Sequence, residues 1–262
     1  MQIKCKSCSH EFEPTLKKAD MVFSDPPYNV AVQSRGGAIE GKTIANDNLN
    51  ASDWVKFVRA FLARFHENVK GAVYICMSAK EWPMLQLAFI EAGFKWADTI
   101  VWVKHRFTVG GADYQHQTEP ILVGRKTKKA DAEPIVYGWP EGADPAWNGG
   151  RDEANAWFFK RPGKSPIHPT MKPVELVAKA IANSSNRGDT VLDPFLWGGS
   201  TLIACERLDR KCRGIELSEG FCDAIIARYV GHTKNAELKR NGEPHLWTGP
   251  VIDLGEIDEA HA

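Results

Sequence analysis

Apolar residues along this chain alternate between short runs and positions spaced as on one face of a helix. The short runs are bounded by turn-forming residues and predict buried strands. In chain order they are Met21–Ser24, Ala72–Cys76, Thr99–Val103, Ile121–Val123, Thr190–Leu192 and Arg213–Ile215. Helical spacing predicts helices between them, over 54–65 with Ser52 as its cap, and over 85–92, 174–181, 201–208 and 221–230. Strands alternating with helices indicate an α/β fold with a doubly wound, mostly parallel sheet.

One stretch breaks this alternation and predicts an insertion. It holds a run of lysines followed by residues rich in glycine, proline and tryptophan, a composition typical of irregular structure. We expect the insertion to span 105–166 within a main domain over 19–231. A short segment, 1–18, precedes this domain, and a polar tail, 232–262, follows it and is expected to be poorly ordered.

The composition limits the class of protein. With 262 residues and 43% hydrophobic content, the chain can bury one large core. Its 33 basic and 33 acidic residues balance, which argues against a general nucleic-acid coat but allows a local basic groove. No apolar run approaches the ~20 residues of a membrane span, and no secretory signal is visible. We therefore expect a cytoplasmic protein without a membrane partner.

The cysteines do not predict a metal centre. Six of them in a chain of this length do not form a disulfide framework. Cys5 and Cys8 with His10 could form half of a zinc site, but no second pair follows at finger spacing, since the next cysteine is Cys76. We expect no bound metal.

A group of residues that could carry out chemistry follows the first predicted strand. Asp25, Pro26, Pro27 and Tyr28 come directly after it, and ligands of open α/β sheets bind where strands end. A carboxylate, a proline carbonyl without a competing N–H and an aromatic ring suit the binding of an exocyclic amine on a flipped base. A rigid turn with a packed tyrosine is the alternative explanation. Asp47, in a polar turn before a helix, could line the same pocket.

A second candidate site lies far downstream. The strand ending at Asp193 is followed by Gly198 and Gly199 and by a helix that opens with Ser200 and Thr201. Such a turn lets a ligand approach the main chain closely. Glu216, at the end of the next strand, could bind two ribose hydroxyls, although an ordinary strand-to-helix turn with a solvated acid explains the pattern too. The chain contains neither a P-loop nor a Gly-x-Gly-x-x-Gly motif.

Together these motifs resemble those of the beta-class amino-DNA methyltransferases, over roughly residues 19–230. Asp25-Pro26-Pro27-Tyr28 matches the catalytic tetrapeptide of that family, and it precedes the cofactor motif in a circularly permuted order. The segment 167–176 matches the family's His-Pro-Thr-x-Lys-Pro motif, 193–201 its glycine motif and 214–217 its acidic motif.

The resemblance implies a Rossmann-like methyltransferase fold, S-adenosylmethionine as cofactor and double-stranded DNA as partner. It implies a catalytic set of Asp25, Pro26, Pro27 and Tyr28. It implies a cofactor site of His168, Thr170, Lys172, Asp193, Phe195, Gly198, Gly199, Ser200, Thr201 and Glu216. It leaves a monomer or a homodimer open, and a place in restriction–modification is expected.

The target base and its sequence context are less clearly indicated. An aspartate at the head of the tetrapeptide favours adenine N6 in the resembled family, while cytosine N4, RNA or a protein amide stay open. We expect the reader of the DNA sequence in 105–166, with phosphate or base contacts from Lys126, Lys128, Lys129 and Arg151. A solvated charged loop explains any single one of these lysines equally well.

One residue departs from the family pattern. Position 197 should be glycine and is Trp197, and a positive φ at a non-glycine residue costs ~1–2 kcal/mol. The indole could also fill the space of the cofactor's methionine part. Either the turn takes another shape using Gly198 and Gly199, or cofactor binding is impaired. A catalytically impaired DNA-binding or regulatory protein on the same scaffold is therefore the rival hypothesis.

Overall fold

The computed structural model describes residues 2–4, 17–30, 44–103, 132–160, 167 and 171–254. The helices are α1 (Ala51–Asn68), α2 (Trp82–Glu91), α3 (Val174–Ser184), α4 (Ser200–Arg207) and α5 (Glu219–Thr233). The strands are β1 (Gln2–Lys4), β2 (Met21–Ser24), β3 (Val73–Cys76), β4 (Phe94–Val103), β5 (Ala132–Pro140), β6 (Ala156–Phe158), β7 (Thr190–Asp193), β8 (Lys211–Ile215), β9 (Glu237–Arg240) and β10 (Glu243–Leu246).

Eight strands form one sheet in the order β1-β8-β7-β2-β3-β5-β4-β6. Its pairs are parallel except those that involve β5, which runs antiparallel to β3 and β4. β2 therefore lies between β7 and β3, with Val22 opposite Leu192 on one side and Val73 on the other. The strands β2 and β7 end at the same edge of the sheet.

Helices cover both faces of this sheet. Successive side chains of a strand point to opposite faces, and apolar residues occur on both. Val22, Val73 and Ile75 pack with the apolar faces of α1 and α2. Met21 and Phe23 belong to the second core, which α3, α4 and α5 complete. The doubly wound, Rossmann-like α/β fold expected from the sequence is thus confirmed. No described helix is long and apolar enough to cross a bilayer.

Several local predictions need correction. Asn50, rather than Ser52, caps α1, since its side chain accepts a hydrogen bond from the Asp53 amide at 3.0 Å. β5 and β6 lie within the range assigned to the insertion, yet both pair with β4 in the main sheet. The predicted strand Ile121–Val123 lies outside the described residues.

The tail also contains regular structure. β9 and β10 pair as an antiparallel hairpin directly after α5. The chain then returns along α5, where the Ile252 amide donates to the Ala227 carbonyl at 3.1 Å. Leu254 is buried and packs against Ile167 and Met171. The described part of the tail, to residue 254, is therefore a strap that reaches the segment before α3 and is not an irregular extension.

Candidate active site

The tetrapeptide and the glycine turn meet at one edge of the sheet. Asp25 follows the end of β2, and Asp193 ends β7, the parallel neighbour of β2. Both acids line one pocket together with Lys172 and Trp197. The sequence separates these motifs widely, and the parallel pairing of β2 with β7 brings them together.

Asp25 is bound by two side chains. Lys172 Nζ lies 2.7 Å from Asp25 Oδ2 and 3.0 Å from the Tyr28 hydroxyl. The Tyr28 hydroxyl donates to Asp25 Oδ1 at 2.7 Å. Lys172 is 7% exposed and Asp25 14%, so the ion pair is largely removed from water. Burial of this kind requires pairing, because an isolated charge in the interior is very costly.

Asp47 holds the loop that follows the tetrapeptide. Its carboxylate is buried and accepts hydrogen bonds from the amides of Tyr28 at 3.1 Å and Val30 at 3.3 Å. Asn29, between them, has a φ of 55° and exchanges two hydrogen bonds with Leu49. Asp47 thus shapes the loop by binding its main chain.

The glycine turn has a left-handed residue at position 197, where tryptophan replaces the glycine of the family motif. Trp197 has a φ of 47° and Gly199 a φ of 78°. The Trp197 amide donates to Glu216 Oε2 at 3.1 Å, and its indole Nε1 donates to the Asp25 carbonyl oxygen at 2.5 Å. At Gly199 a Cβ would lie 3.1 Å from Ile225 Cγ2. The indole therefore lies between the two motifs and lines the pocket.

Two further acids of the site are buried. Asp193 accepts from the Thr201 hydroxyl at 2.6 Å and from the Phe195 amide at 3.1 Å. Burial raises the pKa of Asp193 to about 7, although these hydrogen bonds lower it. Burial also raises the pKa of Glu216, against the opposing effect of the amides of Ser218, Leu217 and Trp197. Asp193 and Glu216 thus each bind a main-chain amide of the segment 195–197.

Sequence reasoning missed a buried arginine that supports this turn. Arg228 of α5 is 1% exposed, donates to the Gly198 carbonyl and lies 3.2 Å from the Met171 sulfur. The Ser200 hydroxyl donates to the Lys172 carbonyl at 2.7 Å and joins the same region. The only signal for Arg228 in the sequence is its position three residues after the apolar Ile225 on a predicted helix face.

The pocket fits an adenosyl cofactor in its donor set. Its lining combines residues of the turn before α4 with one buried cation, Lys172, and Glu216, which follows β8, binds the Trp197 amide of that turn. The empty space between the lining residues is about 290 Å³, counting the part that is open to solvent. Phe195 closes one wall and packs edge-on against Phe57 and Phe61 of α1. The Trp197 indole takes up part of this space.

Among the remaining candidates, one described residue lies away from the pocket and the others fall outside the described residues. Arg151 is exposed, three residues after Asn148, whose side chain donates to Ser185 at the C-terminal end of α3. That is the edge at which β7 begins, opposite to Asp25. The following lie outside the described residues: His168, Thr170, Lys126, Lys128, Lys129, Cys5, Cys8 and His10. The described part of the chain contains no group of His, Cys, Asp or Glu that could hold a metal.

Known proteins are similar to this chain in sequence and in fold. The model of a family described as DNA methylase (N6/N4 type) matches residues 19–227. The chain is 28% identical over 222 residues to the Type II methyltransferase M2.DpnII of Streptococcus pneumoniae, covering 77% of this chain and 79% of that protein. It is 28% identical over 220 residues to the Type II methyltransferase M.HpaI of Haemophilus parainfluenzae, covering 80% and 67%.

Two solved structures show the same fold. The M1.HpyAVI–SAM complex superposes with a TM-score of 0.59 at 24% identity, covering 80% of this chain and 87% of that one. The cytosine-N4-specific PvuII DNA methyltransferase also has a TM-score of 0.59, at 15% identity, covering 80% and 78%.

Proposed function

Because the chain belongs to the N6/N4 family of DNA methylases, we propose that it is a DNA methyltransferase that methylates adenine N6 at specific sites. The cofactor is S-adenosylmethionine. The observation that carries the proposal is the meeting of Asp25 with the turn at 197–199 in one pocket. An acid that can bind an amine then faces the site of the methyl donor, which is the arrangement that transfer requires.

The tetrapeptide acts on the target amine. The base leaves the duplex, which costs a few kcal/mol, and stacking on Tyr28 offsets ~1–3 kcal/mol of this cost. Asp25 accepts a hydrogen bond from one N–H of the amine, and the Pro26 carbonyl accepts the other. Both bonds favour a pyramidal nitrogen whose lone pair points into the pocket. Nitrogen then forms a bond to the methyl carbon, the carbon–sulfur bond breaks, and one amine proton leaves through Asp25 to solvent.

The downstream motifs hold the donor. Bound at this site, S-adenosylmethionine supplies an electrophilic methyl group on a sulfonium. Glu216 accepts hydrogen bonds from ribose hydroxyls, and Phe195 supplies an apolar wall. The main chain of the turn before α4 permits close approach. Catalysis is therefore mainly positioning, since no acid or base must change its charge before the displacement.

The base is assigned from the head of the tetrapeptide. Asp25 favours adenine N6 through the resemblance described above, and cytosine N4 is the alternative within the same chemistry. The reader of the DNA sequence is assigned to the part of 105–166 that connects β4, β5 and β6. Flanking phosphates are bound by its basic residues.

A second candidate function rests on Trp197. Its indole occupies part of the pocket and binds the Asp25 carbonyl, which suits a protein that binds DNA without transferring a methyl group. The same assay separates the two. The protein is incubated with mixed-sequence duplex and methyl-labelled cofactor, and the digested DNA is analysed by mass spectrometry. N6-methyladenine above the level of an Asp25→Ala control supports the proposal. N4-methylcytosine instead would identify cytosine as the target base. No transfer rejects catalysis.

A further inference from the structure

Lys172 donates to Asp25 at the place where the target amine would donate in the proposed reaction. Its ammonium group lies 2.7 Å from Asp25 Oδ2, the distance at which a target amine would donate to the same carboxylate. It also lies 5.2 Å from the centre of the Tyr28 ring, on which the base would stack. A charged donor forms the stronger hydrogen bond, so a neutral amine competes poorly with Lys172 for Asp25.

Lys172 is also placed for a second anion. Among the described residues that line the pocket it is the one cation. The donor carries a carboxylate at its amino-acid end, and a buried carboxylate requires a charged or multiple hydrogen-bonding partner. The main-chain carbonyl of Lys172 is fixed by the Ser200 hydroxyl at 2.7 Å. The flexible side chain can therefore turn between two anions while its backbone stays at the pocket wall.

We propose that Lys172 is a switch that pairs with Asp25 in the free protein and transfers to the carboxylate of the cofactor when the cofactor binds. This inference rests on the proposed function. The transfer frees Asp25 to accept the target amine only when the methyl donor is in place. Lys172 is thus a positioning residue that makes the binding of the base depend on the cofactor.

The switch predicts that loss of the catalytic charge strengthens cofactor binding. In the free protein Asp25 competes for Lys172, so the observed affinity is reduced by the fraction of molecules in which Lys172 is available. We expect Asp25→Asn to bind S-adenosylhomocysteine more tightly, by on the order of tenfold if the pair is formed in about 90% of molecules. This ligand has the carboxylate but no sulfonium charge, so attraction between the sulfonium and Asp25 does not contribute to the result.

Two controls isolate the switch, and calorimetry is the measurement. Methylthioadenosine lacks the amino-acid part, and its affinity should be the same in the wild type and in Asp25→Asn, which also shows that the variant pocket is folded. In a Lys172→Met background, Asp25→Asn should leave S-adenosylhomocysteine affinity unchanged. Nitrogen NMR of the Lys172 ammonium should respond to S-adenosylhomocysteine and not to methylthioadenosine.

The outcomes separate the switch from the function on which it rests. Binding of both ligands with equal S-adenosylhomocysteine affinity in the wild type and Asp25→Asn overturns the switch and leaves the proposed function standing. An equal gain in the Lys172→Met background also overturns it, since the gain would not pass through Lys172. Binding of neither ligand by the wild type overturns the proposed function, and the switch falls with it.

Discussion

The indole Nε1 of Trp197 donates a hydrogen bond to the main-chain carbonyl of Asp25 at 2.5 Å. The amide of the same residue donates to Glu216 at 3.1 Å. One residue in a left-handed backbone conformation, through its side chain and its amide, therefore connects the catalytic tetrapeptide with the cofactor motif. This contact explains how a large residue is accommodated where glycine is expected, since its indole N–H is satisfied.

Replacing this indole should strengthen cofactor binding. Trp197→Gly removes ~1–2 kcal/mol of left-handed strain and opens the pocket, so we expect S-adenosylhomocysteine to bind several-fold more tightly in calorimetry. Trp197→Phe keeps a ring in the pocket and the strained φ, and serves as the control without the N–H donor. An affinity for Trp197→Gly at or below that of the wild type would show that the indole does not obstruct the site.

The buried Asp193 should make stability depend on pH. Its pKa of about 7 in the folded protein exceeds the ordinary 3.8, so the folded state retains the proton over a range in which the unfolded chain has lost it. Stability from this group is complete at low pH and is lost as pH rises towards 7. Denaturant titrations between about pH 4 and pH 7 should show that the free energy of unfolding of Asp193→Asn rises relative to the wild type as the pH increases.

A surface carboxylate provides a control for the direction in which stability changes with pH. Hydrogen bonds from Lys56 and Asn50 lower the pKa of the exposed Asp53, so Asp53→Asn should lose stability relative to the wild type as pH rises through the acid range. The same slope in both variants would contradict the assignment of the effect to the burial of Asp193.

The hydroxyl of Thr201 should stabilise the cofactor turn. It donates to Asp193 at 2.6 Å in the interior, and Thr201→Val removes this donor with little change of shape. A buried acceptor without its donor costs ~1–3 kcal/mol, which thermal or denaturant unfolding would detect. Thr201→Ser keeps the hydroxyl and should lose less. Equal losses in the two variants would point to the packing of the methyl group instead.

The C-terminal strap should contribute to the stability of the site. Leu254 is 7% exposed and packs on Ile167 and Met171, directly before Lys172. Leu254→Ala removes buried apolar volume, and a loss of ~2–3 kcal/mol is expected because comparable core truncations cost 2–5. Val251→Ala is the matched control, since Val251 is 59% exposed and should change stability by less than ~0.5 kcal/mol. A smaller loss at 254 than at 251 would show that the strap is not packed.

The parts of this structure that the sequence predicts are those governed by local pattern. β2, β7 and the core of α1 follow from apolar runs and helical spacing. β5 was missed because Pro134, Gly138 and Pro140 suggest turns, whereas in the fold Pro134 lies opposite Val101 within a long antiparallel pair. Tertiary pairing here overrides local preference.

The side-chain contacts within the site could be identified only from the structure. Lys172 and Asp25 are 147 residues apart in the chain, and the motif resemblance assigned Lys172 to the cofactor alone. Arg228 and Asp47 bind main-chain groups of distant segments, and no spacing rule connects a side chain with a carbonyl or amide far away in sequence. At position 197 the sequence left open a strained positive φ or a turn of another shape around Gly198 and Gly199, and the structure has a φ of 47° there.

The neighbouring strands β2 and β7 also constrain how the protein is made. The Thr190 amide donates to the Asp20 side chain across 170 positions. β2 therefore cannot pair with β7 until most of the polypeptide has been synthesised. At ~5–20 residues per second this delay of 170 residues lasts ~9–34 s. During this time β2, all four of whose residues are buried in the finished sheet, can pair with β3 but lacks its other parallel neighbour, β7. The nascent chain should therefore depend on chaperones that shield apolar strands until synthesis has passed β7.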